Sequence, residues 1–388
     1  MAERLLSEVF DVAIVGGGPA GLAVAIECAL RGSPAVVFER RSGPLDKACG
    51  EGLLPAGLAS LERMGVLPFL ERTGSAKFES ITYFQEDGRF VAAKLPAPGG
   101  LGIRRLALTH AMSARAKALG VVIYEGRGVR SHERHADSVV VTSDGGSVQA
   151  KLLVAADGLH SPLRKQEGLE MPYAGAKRFG LRRHVAMKPW AATVEVHFTP
   201  GAEAYVTPAG SNRVGIAFLW EDGRLEGPAS FERLLAKFPL LEKKIAGQPF
   251  DSEARGAGPL RQPVKARVKD RFVLVGDAAG YVDAITGEGL SLAFDQAEVL
   301  GHILPAVLKA GATASSLLPY EKAASHAFAR YERLASTLVW AARHPRLRRF
   351  IINRLIEMPA VFELALRASV PGQGSRLLAL GSAAVKVR

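Results

Sequence analysis

Residues 10–41 read FDVAIVGGGPAGLAVAIECALRGSPAVVFERR, and the spacing Gly16-x-Gly18-x-x-Gly21, with an acid at Glu39, suits the holding of a dinucleotide. Gly16 permits a tight turn, Gly18 lets the backbone approach a pyrophosphate, and Gly21 lets a helix pack closely on a strand. The helix start then offers free N–H groups and the positive end of its dipole to the phosphates. An acid at Glu39 is placed for ribose hydroxyls and suits a free 2'-hydroxyl, so FAD or NAD is expected there in preference to NADP.

Further along, Ala155-Ala156-Asp157-Gly158 ends an apolar run in an acid-glycine turn, where a doubly wound sheet places its ligands. VGDAAG at 275–280 repeats the pattern, and Asp277 has two readings, a hydrogen-bond acceptor for a polyol or a plain helix cap. Gly287 and Gly289 open the next helix, whose N-terminus favours negative charge. Gly50 and Gly52 free the backbone of a loop expected to approach a cofactor ring. Two cysteines, Cys28 and Cys49, stand outside any CxxC or Cys/His spacing, so neither a disulfide framework nor a metal site is expected.

These residues need elements to position them. Val12–Val15 and Ala35–Phe38 read as buried strands around a helix from Leu22 to Leu30. Residues 80–95 alternate about Asp87-Gly88 as a hairpin, 103–119 return to helical period, and strands follow at 121–124, 129, 138–142 and 148–154. RFGLRRHVAM, TVEVHFTPG, EAYVTPAG and NRVGIAFLW predict an antiparallel sheet over 178–220. Period two sets Glu195 and His197 on one face, to meet solvent or to line a substrate cavity, and Val194, Val196 and Phe198 on the other.

The chain has 388 residues and a net charge of +12, and residues 301–388 hold 13 basic against 4 acidic residues. That end is helical in pattern, broken at Pro345 and Pro359, with Arg346, Arg349, Asn353 and Glu357 expected on one face and Leu347, Phe350, Ile351, Leu355 and Met358 on the other. The basic face has two readings, a wet helix packed on the body or a peripheral contact with an anionic membrane. MAERLLSEVF lacks the layout of a signal peptide and no apolar run is long enough to span a bilayer, so a cytoplasmic protein is expected.

Four stretches in order, GGGPAG at 16–21, IRR at 103–105, AADG at 155–158 and VGDAAG at 275–280, resemble the FAD-dependent aromatic hydroxylase superfamily and its relatives, the geranylgeranyl reductases. The resemblance covers roughly residues 10–310 and implies an α/β fold: a three-layer, Rossmann-like FAD-binding domain, an inserted antiparallel sheet for substrate, and a C-terminal helical segment. The implied FAD-binding parts are 1–75, 101–170 and 266–310, interrupted by sheet at 76–100 and the substrate sheet at 171–265, with basic helices at 311–388. By position, Gly16, Gly18, Pro19, Ala20, Gly21, Glu39 and Arg40 would hold the ADP half, and Arg105 would lie near the phosphates, with Arg104 as its neighbour. Cys49, Gly50, Asp157, Gly158, Gly276 and Asp277 would follow along the cofactor, and Gly287, Glu288, Gly289 and Leu290 would sit under the flavin N1–C2=O edge.

Within that superfamily the resemblance divides. Cys49-Gly50-x-Gly52, Tyr205-x-x-Pro208 and TGEGL at 286–290 look like the geranylgeranyl reductase branch, although AYVTP and DAITGEG depart from that branch's YxWxFP and NPLTGEG. CGEGLLPAGLASLERMGV looks like bacterial flavin hydroxylases, whereas the W-x-W-x-I-P of flavin halogenases is missing because Trp190, Trp220 and Trp340 stand apart. The leading reading is an NAD(P)H-using monooxygenase that hydroxylates an apolar or phenolic substrate through a flavin C4a-hydroperoxide, with His184 or His197 as base. The alternatives are saturation of a prenyl double bond, with Cys49 or Tyr205 to test as proton donor, and a prenyl-lipid carrier without turnover. The expected partners are an apolar or lipid substrate and NADH or NADPH, with no nucleic acid.

Overall fold

A computed structural model describes residues 9–43, 46–70, 74–225 and 227–369, so the N-terminal residues 1–8 and the basic segment 370–388 lie outside the described residues. The core is a parallel sheet in which Gly146–Ala155, Val9–Val15 and Ala35–Glu39 are neighbours, extended by Phe272–Leu274 on one side and Val122–Glu125 on the other. Its strands are apolar on both faces, as a covered parallel sheet requires. Val12, Ile14, Val37, Leu152 and Val154 pack towards helices Pro19–Ala29, Arg105–Ala118 and Gly289–Lys309. Ala13, Val36, Phe38, Leu153 and Ala155 pack towards the opposite layer, which includes the antiparallel strands Val129–Arg134 and Val139–Ser143. Helices, parallel sheet and antiparallel strands make the three layers.

Because Val9–Val15, Gly146–Ala155 and Phe272–Leu274 run in one direction, their C-terminal ends come together. That brings the 16–21, 155–158 and 275–280 turns to one edge.

The second sheet has seven strands, ordered Arg255–Ala257, Arg178–Val185, Val214–Glu221, Ala202–Pro208, Thr193–Thr199, Ser80–Phe84 and Phe90–Lys94. The 80–94 hairpin, whose residues interrupt the nucleotide domain, is part of this sheet. It joins the 178–221 strands through a parallel pairing of Ser80–Phe84 with Thr193–Thr199, the one departure from the antiparallel expectation in that sheet.

Helices Ala314–Arg343, Pro345–Glu357 and Pro359–Ser369 end the described chain, broken at the two prolines as expected. The faces of the 345–357 helix differ from the sequence reading. Arg348 is buried, donating to the Ala342 carbonyl at 2.9 Å and reaching the Glu86 carboxylate, and Ile352 is buried beside it. Asn353 accepts from Gln85 at 2.8 Å. This tether turns Phe350 and Ile351 outward, at 58% and 39% exposure.

Candidate active site

The first turn is closed by backbone contact. A Cβ on Gly16, at φ +111°, would stand 2.3 Å from the Ala156 carbonyl oxygen, and one on Gly21 would stand 1.9 Å from the Gly16 carbonyl oxygen. Gly18 is different, because a Cβ there would meet only an Arg105 guanidinium nitrogen, at 3.7 Å. The 19–29 helix has Pro19 at its first turn, no side-chain cap and no acid in that turn, which leaves its N–H groups directed at this space. Glu39 is fixed beside it, accepting from Gly17 N–H at 2.8 Å and Arg41 N–H at 3.0 Å. Each carboxylate oxygen keeps a second lone pair, enough to accept from ribose hydroxyls. Arg40 is exposed at the rim.

Cations and acids converge across the turn. A Cβ on Gly158 would stand 3.3 Å from the Lys47 amine. Burial, then the nearby Arg105 charge, pulls the Lys47 ammonium below its ordinary pKa. Burial raises the Asp277 carboxyl against the opposing pull of Arg105, Lys47 and Arg164. Asp157 is likewise raised by burial; its Oδ2 accepts from Leu163 N–H at 3.1 Å. Asp157 Oδ1, Arg105 Nε and Arg104 Nε are buried without a partner. The helix-cap reading of Asp277 does not hold, because Val275 occupies the cap position of the 276–279 turn and no side chain caps it.

Arg164 ties the two acidic turns together. Its guanidinium donates to the carbonyls of Ala278 at 3.1 Å and Leu159 at 2.9 Å, and to the Gln262 side chain at 2.9 Å. Gly276, at φ +66°, brings its turn so close to the first helix that a Cβ would stand 2.6 Å from that of Ala20. Beyond it, the 289–309 helix begins at Gly289 after Glu288, with no side-chain cap, an open Gly287 at φ +68° and Leu290 packed against the core.

This donor set fits FAD. The Arg105 guanidinium comes within 3.7 Å of where a Gly18 Cβ would stand and Lys47 lies beside Gly158, two cations suited to a diphosphate. Asp157 Oδ1 is left to accept from a polyol hydroxyl, and the uncapped start of the 289–309 helix would favour negative charge on a flavin.

The roof is the seven-stranded sheet, and register decides which side chains face the nucleotide domain. Thr207, Tyr205 and Glu203 share that face with Val196, Phe198, Arg178, Arg182 and His184. Thr207 donates to the Gly50 carbonyl at 2.8 Å, Tyr205 to the Ile285 carbonyl at 3.3 Å, and Arg178 to Asp283 at 2.8 Å and Glu203 at 2.6 Å. The opposite face packs Ala204, Val206 and Phe218 on Phe231, Phe238 and Leu241.

Two histidine expectations are corrected by this register. His197 and Glu195 lie on the far face, so they neither line the substrate side nor meet solvent. His197 stacks on Phe84 with centroids 4.5 Å apart and bonds Glu195 at 2.9 Å, and Glu195 also takes Trp190 at 2.6 Å. His184 is on the near face but fully buried, with Nε2 2.5 Å from the Glu51 carboxylate and Nδ1 2.9 Å from Ser252. Neither ring nitrogen is left for a substrate proton.

A consequence separates the two histidines. The His197→Gln variant is expected to keep turnover within about threefold and to lose about 1 kcal/mol of stability. The His184→Ala variant, which leaves Glu51 short of a partner and opens a cavity, is expected to lose about 2–4 kcal/mol in denaturant titration.

Two predicted catalytic residues remain near the loop. The Cys49 sulfur accepts from Glu51 N–H at 3.4 Å. Burial, with Glu203, Tyr83 and Asp283 adding to it, holds the Tyr205 phenol well above its ordinary pKa. Tyr281 joins them, 3.6 Å from where a Gly289 Cβ would be, and its phenol is also pushed well up, first by burial and then by neighbours that include Asp277 and Cys49. Sequence reasoning missed Lys47, Glu51, Arg164, Tyr281 and Asp283. Arg164 follows the Asp157 turn by seven residues, a spacing that could have drawn attention; Lys47 and Glu51 lie in an irregular loop with no period to flag them. Glu51, at φ +58°, accepts from Arg105 N–H at 3.0 Å and so links the roof, the loop and the phosphate side.

Comparison with known proteins agrees with this geometry. The family model described as "FAD binding domain" matches residues 9–335. The menaquinone reductase of Mycobacterium tuberculosis is 27% identical over 315 residues, covering 76% of each chain. Digeranylgeranylglycerophospholipid reductase 1 of Methanopyrus kandleri is 26% identical, covering 80% of this chain and 84% of its own. The halogenase PltM, solved with phloroglucinol and FAD, superposes with a TM-score of 0.77 at 18% identity over 87% of this chain and 78% of its own, a likeness of fold. The match over 9–335 places the chain in the FAD-binding-domain family, within the superfamily that joins the FAD-dependent aromatic hydroxylases and the geranylgeranyl reductases.

Proposed function

We propose that this FAD-dependent oxidoreductase saturates a double bond in an isoprenoid lipid or quinone, with NADH or NADPH as transient electron donor. The observation that carries the reading is the proton inventory between roof and loop. Both histidines are closed, while the Cys49 thiol and two phenols, Tyr205 and Tyr281, stand between roof and loop, the phenols pushed well above their ordinary pKa by burial. A thiol can hand a proton to a substrate carbon, whereas a neutral, buried phenol is a poor base for removing one. The reading is further supported by the names of the relatives, a menaquinone reductase and a digeranylgeranylglycerophospholipid reductase.

FAD, when bound, supplies the hydride chemistry. The chain's own residues do the rest. Lys47, Arg105 and the 19–29 helix start bind the phosphates, and Asp157 and Asp277 orient the polyol. Val194, Val196 and Phe198 form an apolar wall that excludes water and seats an alkyl chain. Saturation adds a hydride to one alkene carbon and a proton to the other, and Cys49 is the donor assigned here. The Cys49→Ala variant is expected to bind FAD normally and to lose roughly a hundredfold in turnover, while Tyr205→Phe loses roughly tenfold.

Hydroxylation is the second reading, supported by the dryness of that wall and by the CGEGLLPAGLASLERMGV layout. A carrier without turnover gives no reason for Lys47, Arg105, Asp157 and Asp277 to converge. The test is to mix reduced, FAD-loaded protein with isoprenoid quinones and lipids without O2. Flavin reoxidation coupled to loss of the double bond supports reduction, and reoxidation that needs O2 and substrate together overturns it.

A further inference from the structure

Nine of the twelve residues from 350 to 361 are exposed, a pattern a packed terminal helix does not need. Of the fourteen large apolar side chains exposed among the described residues, six are Phe350, Ile351, Ile356, Met358, Val361 and Leu364, so one short stretch holds a patch of the kind soluble surfaces avoid. Exposed Arg346, Arg349 and Arg354 are interspersed with them, and the Arg354 guanidinium lies 5.5 Å over the Phe350 ring.

The inner faces of the same helices are fully employed. Ile352 and Phe362 pack on Phe78, Val91, Ala93 and Leu95, and Phe362 lies 5.1 Å from the Tyr83 ring, which lies 5.8 Å from Phe198 on the near face of the roof. The outer face is thus a surface in its own right, held firmly against the wall of the substrate space.

We propose that helices 345–357 and 359–369 form a docking surface for an anionic lipid bilayer. Arg346, Arg349 and Arg354 of the first helix, mixed with the exposed apolar side chains of both, match an interfacial surface, whose apolar groups enter the acyl boundary while guanidinium groups stay with the phosphates. A protein partner calls instead for an apolar centre cleared of charge and ringed by polar groups. Docking does not depend on which reaction the flavin site performs.

The test is sedimentation of the FAD-loaded full chain with vesicles of phosphatidylcholine alone and with phosphatidylglycerol as about a third of the lipid, at low and high salt. Binding to the anionic vesicles is expected to be at least about tenfold tighter and to weaken with salt. The variant carrying Phe350→Ser, Met358→Ser and Leu364→Ser is expected to lose at least about tenfold in binding with FAD content unchanged. The variant carrying Arg346→Glu and Arg354→Glu is expected to lose the preference for anionic lipid. Absence of vesicle binding, or binding that neither variant weakens, overturns the proposal. So does a lipid-free dimer that the serine variant dissociates, which would assign the face to a second copy. A failed alkene assay with intact vesicle binding would count only against the proposed reaction.

Discussion

The Asp277→Asn variant is expected to bind FAD roughly 10- to 100-fold more weakly and yet to be more stable than the parent when both lack FAD. Burial raises the Asp277 carboxyl, with Arg105, Lys47 and Arg164 only partly offsetting it. A raised folded pKa means that the fold prefers the neutral acid, so this contribution to stability is present below the unfolded value and is lost as pH rises through the folded one. At neutral pH the ionised group therefore costs the FAD-free protein stability, and the amide removes that cost. The same substitution takes away a charged acceptor from the cofactor's hydroxyls, worth about 1.5–3 kcal/mol. Fluorescence titration with FAD and melting of both FAD-free proteins against pH check the two halves. The stability difference should close as pH falls towards the ordinary carboxylate range.

The second large effect is steric. A Gly21→Ala variant is expected to lose about 3–5 kcal/mol and to purify without FAD, whereas Gly32→Ala should lose only about 1 kcal/mol. The Cβ at position 21 would stand 1.9 Å from the Gly16 carbonyl oxygen, a backbone atom that cannot yield without opening the turn over the phosphate site. Gly32, at φ +71°, has nothing within 4 Å of its Cβ, so only the positive φ opposes alanine there. Equal losses at the two positions would mean that the close approach at Gly21 is not what fixes the turn.

Much of the nucleotide domain was legible because its elements are periodic and its turns are glycine-marked. The strands at 9–15 and 35–39, the helix between them, and the Asp157 and Asp277 turns fall where the pattern sets them. The roof was legible as strands but not as a surface. Period two correctly separated His197 from Val196, yet it could not say which face meets the flavin domain, because helices 231–235 and 239–245 cover the face that looked polar. His184 illustrates a further limit: its neighbour Glu51 is 133 residues away and lies in a loop, and long-range pairing of that kind leaves no local trace. The C-terminal helix misled for a similar reason. Its spacing puts Phe350 and Ile351 on one apolar face with Leu347 and Leu355, but the pairing of Arg348 with Glu86 takes that arginine inside and rotates Phe350 out.

The reduction claim meets its most direct test in the mass of the product. FAD-loaded protein is supplied with NAD(P)H, an isoprenoid quinone or lipid, and ¹⁸O-labelled O2, and the product is weighed by mass spectrometry. A product heavier by the mass of two hydrogens once any quinol has been reoxidised to the quinone, free of label and formed equally well without O2, is the result expected. A product that carries one labelled oxygen and forms only when O2 is present would contradict the reduction and assign the chemistry to hydroxylation.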